Sequence, residues 1–345
     1  MLYYLIGGIY LQREITEKHK IFEQDGKVMC AGWSKSPVFE YNQEQSKTYG
    51  KHGKRDCYFI SSDEVALYLS AENFGNEFLV KIAVADLKRG GVIGDYTVKK
   101  SIFSKIDLPE SDSNDELLFT DKHMQLQITN TVDKKIIKCD FIDFSGNKNL
   151  YFNIILSELE SEGLYELAPF ERDRRYFYYK QFMPNFLVQG IIRIGGLEYE
   201  LKETNSRAYF DVTRFSKPRK HSYQRLSADC TIDGKRFSLN LASRVGDNRY
   251  GNENCFIVNG KTAKLSQINV KNTNGRLDRP WYFKGGISAV DIIFKPFTVK
   301  GEPMAVHMDK TTIIFGILLG NIKHIDFDNP IILDNSHSHM ILTEF

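Results

Sequence analysis

The chain has 345 residues, 42% of them hydrophobic and 26% charged, a globular composition long enough for two cores. Its formal net charge is +2 with acids and bases interspersed, so no basic face for nucleic acid is expected; the densest basic stretch, Arg214–Arg225, reads as a solvated loop. The five cysteines, Cys30, Cys57, Cys139, Cys230 and Cys255, form no C-x-x-C pair, which predicts reduced thiols in a cytoplasmic protein.

In chain order, Leu2–Leu11 is apolar but lacks a basic flank and a small-residue cleavage step, and reads as a first strand, not a signal peptide. Strands are predicted at Val65–Leu69, Phe78–Ala85, Met124–Thr129 and Ile136–Phe144. In the second, Phe78, Val80, Ile82 and Val84 share one face and Leu79, Lys81, Ala83 and Ala85 the other. The run from Glu110 to Glu116 reads as an acidic loop, and Ser157–Leu167 as a short helix stopped before Pro169. Strands resume at Phe186–Ile194, Leu197–Lys202, Arg207–Thr213, Leu226–Ile232, Arg236–Ala242, Asn254–Val258, Gly286–Phe294 and Thr311–Leu319. The apolar run Ile313–Leu319 is too short to span a bilayer, so no transmembrane segment is expected.

Turn dipeptides punctuate these runs: Asp25-Gly26, Gly90-Gly91, Gly195-Gly196, Asp233-Gly234 and Asn259-Gly260. Around Gly195-Gly196, Ile191–Ile194 lead in and Leu197–Lys202 lead out in apolar/polar alternation, the mark of a two-residue hairpin. No helical period is sustained, so the prediction is all-β and antiparallel, with sheets curled around an interior. A split near residue 168 gives two units, 1–168 and 169–345, each the size of a small β-barrel domain. The 24 Phe and 18 Tyr fit half-buried strands and supply flat surfaces for a pocket.

No phosphate-binding Gly-rich loop, dinucleotide fingerprint, nucleophile elbow or H-E-x-x-H is present, so no cofactor and no metal are predicted. His337 and His339 would share a strand face, but two ligands do not close a metal site. Asp211 and Arg214 end an apolar run, and Glu253 and Asn254 open another. A carboxylate enclosed beside a guanidinium or an amide is tuned for proton transfer, which makes Asp211 and Glu253 the catalytic candidates. The same residues in closed surroundings are structural polar contacts. Arg214, Asn254 and Tyr223 would polarise a substrate, and Trp33 and Trp281, bounded by turn formers, either plug barrel ends or stack on a ligand.

Several segments resemble one family, the domain-of-unknown-function family 2804. Arg13–Asn42 resembles its opening, with Gly32, Trp33, Ser34, Lys35, Tyr41 and Asn42 at the family's steps. Pro169–Gly196 resembles its midsection, and Gly251–Leu265, Pro280–Phe283 and Asp291–Phe297 its closing steps. The chain departs from the pattern at Tyr209–Leu226, which keeps Asp211 and Arg214 but not the tryptophans, and at Lys54–Tyr58, where Asp56 remains of a Trp-Asp-Tyr step. The family is similar to two-barrel lipocalin-like proteins, among them carotenoid hydratases and fungal Diels–Alder cyclases. The resemblance implies two antiparallel lipocalin-like barrels or half-barrels packed side by side, with an apolar pocket; Trp33 and Asp56 are among the candidates to line it.

Three functions follow as expectations. The first is binding of a small apolar or amphipathic molecule, lipid-like or isoprenoid-like, in a barrel pocket. The second is a cofactor-free hydratase, isomerase or cyclase using Asp211 or Glu253 as general acid/base. The third is a β surface for a sugar or a protein partner. Oligomeric state is not legible.

Overall fold

The computed structural model describes residues 12–47, 52–101, 106–108, 115–170, 173–184, 186–216, 222–243, 251–285 and 289–344. Leu2–Leu11, the basic residues 217–221, and residues 110–114 of the acidic stretch lie outside the described residues.

The described chain is β throughout, apart from one 3-10 turn at Gln43–Gln45. No helix of the described residues is long and apolar enough to cross a membrane. Three antiparallel sheets dominate. A six-stranded sheet runs in the order Leu197–Leu201, Phe186–Ile194, Lys148–Glu158, Lys134–Ser145, Met124–Asn130, Asp115–Thr120. An eight-stranded sheet runs Gly32–Ser34, Leu164–Phe170, Asp173–Met183, Ser206–Ser216, His52–Ser62, Val65–Asn73, Glu77–Asp86, Gly91–Ser101. A ten-stranded sheet is built from residues after 221 and rolls into a half-barrel.

Three of the predicted turns form two-residue hairpin loops, whereas at Gly90-Gly91 the loop between Asp86 and Gly91 is longer. Ile194 pairs with Leu197, Ile232 with Lys235 and Val258 with Lys261. Both central residues of each loop have positive φ: 54° and 84° at Gly195-Gly196, 49° and 72° at Asp233-Gly234, 46° and 78° at Asn259-Gly260. Left-handed loops of this type match the right-handed twist of the flanking strands, which is why Asn, Asp and Gly stand there.

The layers follow from which strand faces are apolar. One face of the eight-stranded sheet, with Tyr58, Leu67, Val80, Ile82 and Phe210, packs on Phe119, Leu126, Phe141, Phe152 and Ile192 of the six-stranded sheet and fills the first barrel. The rolled sheet fills its own interior with Leu226, Leu239, Phe256, Trp281, Phe283, Phe294 and Met340. The other face of the eight-stranded sheet meets the outer face of the rolled sheet. Trp33, Phe59, Tyr68, Phe182 and Tyr209 there pack on Cys255, Ile257, Val306, Ile313, Phe315 and Ile341. The eight-stranded sheet is thus a central layer buried on both sides, so both faces of Glu77–Asp86 are apolar, with Lys81 as an exception. The barrel interiors, where an apolar pocket was expected, are packed with side chains.

Two sequence expectations need comment. Ser157–Leu167 is not helical: the strand Lys148–Glu158 ends there, and Leu164–Phe170 pairs with Asp173–Met183 on one side and Gly32–Ser34 on the other. Long-range pairing on both edges overrides the local helix preference of a Glu- and Leu-rich run. Residue 168 lies inside the strand Leu164–Phe170, and strands from both sides of it share the eight-stranded sheet.

Candidate functional site

The polar residues of interest lie in the seam between the two barrels. Residues directly opposite on neighbouring strands share a face, so strand register alone builds a row across the eight-stranded sheet. Trp33 lies opposite Glu166, Glu166 opposite Lys180, Lys180 opposite Thr213, Thr213 opposite Arg55, and Arg55 opposite Glu72. Asp211 stands two residues along from Thr213 and so on the same face. The rolled sheet answers this row with Tyr223 and Arg225 from Ser222–Ile232 and Asn240 from Lys235–Ser243. Glu253 and Asn254 precede Cys255–Val258, and Lys264 closes Lys261–Lys264.

Arg225, 2% exposed, is the hub. Its Nη1 donates to Asp211 Oδ2 at 2.9 Å, its Nε to Glu253 Oε2 at 3.0 Å and its Nη2 to Glu253 Oε1 at 3.1 Å and the Tyr178 hydroxyl at 2.9 Å. Lys180 Nζ donates to Asp211 Oδ2 and lies 3.7 Å from Glu253 Oε2. Tyr178 donates to Glu253 Oε1, Asn240 Nδ2 donates to Glu253 Oε2 at 3.2 Å, and Thr213 donates to Asp211 Oδ1 at 3.3 Å. Two carboxylates therefore face two cations in a closed, hydrogen-bonded set. Burial opposes ionisation of Glu253, but Arg225 and Lys180 overcome it and hold the carboxyl at about 2. Burial, reinforced by Arg225, lowers the Lys180 ammonium.

A second cluster adjoins the first. Glu166, 1% exposed, is pushed up to about 8 by burial; the Glu253 charge adds to this, while Lys264 and Lys180 oppose it. Its Oε2 makes no hydrogen bond among the described residues. Lys264 donates to Asn252 Oδ1 at 2.7 Å, Asn254 O at 3.1 Å and Leu265 O at 3.0 Å, and sits 6.0 Å from the centre of the Trp33 ring. Burial lowers it to about 8. Farther along the seam, Arg55 donates to the Tyr223 hydroxyl and, through Nε, pairs with Glu72 at 3.0 Å; Lys81 pairs with Glu72 at 3.1 Å and donates to Thr311 at 3.0 Å. At the end near His339, a ring stacked 3.6 Å from Phe59 and bonded to Tyr209, the free space is about 10 Å³, enough for about one water.

Asp211, Glu253, Trp33, Tyr223 and Asn254, singled out from sequence, all come to the seam. The anticipated Asp211–Arg214 partnership does not form, because residues three apart on a strand point to opposite faces. Arg214 faces the first barrel, where its Nη1 donates to Asp56 at 2.6 Å; burial nevertheless raises the Asp56 carboxyl. Trp281 is in the core of the second barrel, away from the seam. Asn254 is occupied in structure: its Oδ1 accepts from Ala242 N at 2.7 Å and its Nδ2 donates to Ser266 O at 3.1 Å. Sequence reasoning passed over Arg225, Lys180, Tyr178, Glu166 and Lys264. A signal was present in Lys180, the one charge in the aromatic run Tyr176–Met183.

Filled antiparallel barrels joined through a buried ionic seam define a two-barrel, lipocalin-like protein. The chain belongs to the family described as a domain of unknown function (DUF2804), whose profile matches residues 12–335. By sequence, no curated protein matches. By structure, it is similar to kievitone hydratase from Nectria haematococca, at TM-score 0.57 and 10% identity, over 94% of this chain and 98% of that one. It is also similar to a Nitrosomonas europaea protein assigned as ATTH, at TM-score 0.52 and 10% identity, over 88% and 96%. These likenesses show the shared fold.

Proposed function

We propose that the chain is a cofactor-free acid–base enzyme of the hydratase, isomerase or cyclase class. It acts on a small, largely apolar molecule at the seam between its barrels, in the cytoplasm. The observation that carries the reading is the divergence of two carboxyls in adjoining clusters. Glu166 keeps its proton at neutral pH, at about 8, while Glu253 is ionised, at about 2. Environments that push neighbouring carboxyls apart assign an acid and an anion. Glu166 is the proton donor, and Glu253 with Asp211 supplies the negative field that steadies positive charge developing on the protonated substrate. Arg225 and Lys180 hold those carboxylates in place. The fold shared with a hydratase supports the class and leaves the substrate open.

The test is isotope incorporation. A panel of isoprenoid alkenes and conjugated ketones is incubated with the protein in D₂O and read by mass spectrometry. Wild-type protein incorporates deuterium into at least one compound, and Glu166→Gln does not. No incorporation above the Glu166→Gln background across the panel overturns the reading. A second reading has its own support in the complete pairing of Arg225 with Asp211, Glu253 and Tyr178: the network welds the barrels. It predicts that Glu166→Gln leaves every property but stability unchanged.

A further inference from the structure

We propose that Glu166 and Asn252 form a two-donor hole for the carbonyl oxygen of an uncharged substrate, with the Trp33 ring as its apolar wall. The inference rests on the acid–base reading above and names the substrate class.

Both groups are closed off from water, at 1% exposure for Glu166 and 3% for Asn252, and each leaves one polar atom without a partner among the described residues: Glu166 Oε2 and Asn252 Nδ2. Such atoms are costly to leave unpaired, and two of them on side chains that adjoin through Gly251 are what a ligand oxygen pairing with both would satisfy. The chain brings them together through Gly251. A Cβ built there would stand 2.9 Å from Glu166 Oε1, so the segment carrying Asn252 lies directly against the carboxyl. Asn252 is fixed in direction, because its Oδ1 accepts from Lys264 Nζ at 2.7 Å and from Asn254 N at 2.9 Å, which leaves the amide N–H₂ as the free end.

The charge of the ligand follows from the donors that remain. Lys264 spends its three protons on Asn252 Oδ1, Asn254 O and Leu265 O, so it has none for a carboxylate or phosphate. Glu253 and Asp211 nearby add negative charge that repels an anion. A protonated carboxyl and an amide N–H are both donors, and two donors suit one acceptor oxygen, that of a ketone or aldehyde. Trp33, opposite Glu166 on the neighbouring strand, offers its ring to the apolar body of such a compound. Hydrogen bonds from both donors draw electrons toward the oxygen. In an α,β-unsaturated ketone the same pull extends through conjugation and leaves the β-carbon electron-poor.

The experiment compares three ligands that share a styryl group by calorimetry: trans-chalcone, which has the ketone, stilbene, which lacks it, and cinnamate, which is anionic. Chalcone is expected to bind about tenfold or more tightly than either, with its C=O stretch lowered in the infrared spectrum of the complex. Asn252→Asp keeps the acceptor for Lys264 and removes the donor, and is expected to erase the preference while melting like the wild type. Glu166→Gln retains a donor and keeps the preference. Equal binding of chalcone and stilbene, an unshifted C=O stretch, or no binding of chalcone overturns the proposal. Carbonyl preference without deuterium incorporation anywhere would sink the enzymatic reading while leaving the hole; incorporation into alkenes without the preference would do the reverse.

Discussion

Replacing Arg225 with methionine isolates the energetics of the seam. The guanidinium gives hydrogen bonds to Asp211, Glu253 and Tyr178, and all four side chains are buried. Methionine keeps the length and apolar stem and leaves two carboxylates against Lys180 alone. A carboxyl held at about 2 instead of its ordinary 4.5 is favoured in its ionised form by about 3 kcal/mol. Removing one partner of a buried ion pair costs about 3–5 kcal/mol by an independent route, and the two figures agree. The sign with pH follows from the depressed folded value. The stability from Glu253 is present above about 4.5 and lost as pH falls toward 2. In Arg225→Met the carboxyl rises, so acid unfolding moves to higher pH. Urea unfolding followed by circular dichroism between pH 3 and 8 measures both effects. Adding Glu253→Gln to Arg225→Met removes the stranded charge and recovers part of the loss. A loss under about 1 kcal/mol at pH 7 with an unchanged acid limb would refute the assignment of Arg225 as the hub.

Glu166→Gln is expected to stabilise the protein at pH 7 by up to about 3 kcal/mol. Folding now makes this carboxyl hold its proton up to about 8 instead of 4.5, a cost that grows with pH across that window; urea curves for the variant and wild type should converge near pH 4. Gly260→Ala puts a side chain at φ 78° with its Cβ 3.3 Å from Glu160 O, and is expected to cost about 1–2 kcal/mol in the same assay. Phe59→Ala, which removes the ring stacked on His339 and Tyr209, is expected to cost about 3–5 kcal/mol. Thiol titration of the native chain at pH 8 should find Cys30 as the fast thiol, since burial raises Cys57, Cys230 and Cys255 to about 12 and Cys139 further still; all five react after unfolding.

Strands and hairpins were legible because both are local. Alternation over four to eight residues reports a strand, and Asn-Gly or Gly-Gly at a fixed offset reports its turn. The failed helix at Ser157–Leu167 shows the limit: nothing within that segment encodes its pairing with Gly32–Ser34. The site was half legible for the same reason. Glu253 and Asp211 stood out as charges beside apolar runs. Their cations, Arg225 and Lys180, are placed by the register of three sheet pairings and by the docking of two sheets, which no short window contains. Trp281 misled in the other direction, since a tryptophan after a turn is as compatible with a barrel core as with a pocket.

The location of the charges bears on what they are for. A barrel interior tolerates few unpaired polar atoms, and the cores of both interiors here are apolar, with Arg214 and Asp56 paired to each other on the inner side of the first. The seam differs because each partner sheet brings charges the other completes: the eight-stranded sheet contributes Asp211, Lys180 and Glu166, and the rolled sheet Arg225, Glu253 and Lys264. A weld alone would be satisfied by complete pairing, as Arg225, Asp211 and Glu253 achieve. It gives no reason to bury Glu166 with an oxygen that, among the described residues, is unpaired, next to a segment whose Asn252 N–H₂ is unpaired among them too. Replacing Glu166 with leucine separates the purposes. If the cluster serves only to join the barrels, an apolar side chain of similar size in that position is neutral or stabilising and nothing else changes. If it holds a substrate oxygen, the same variant folds, gains stability above pH 5, and loses the distinction between chalcone and stilbene.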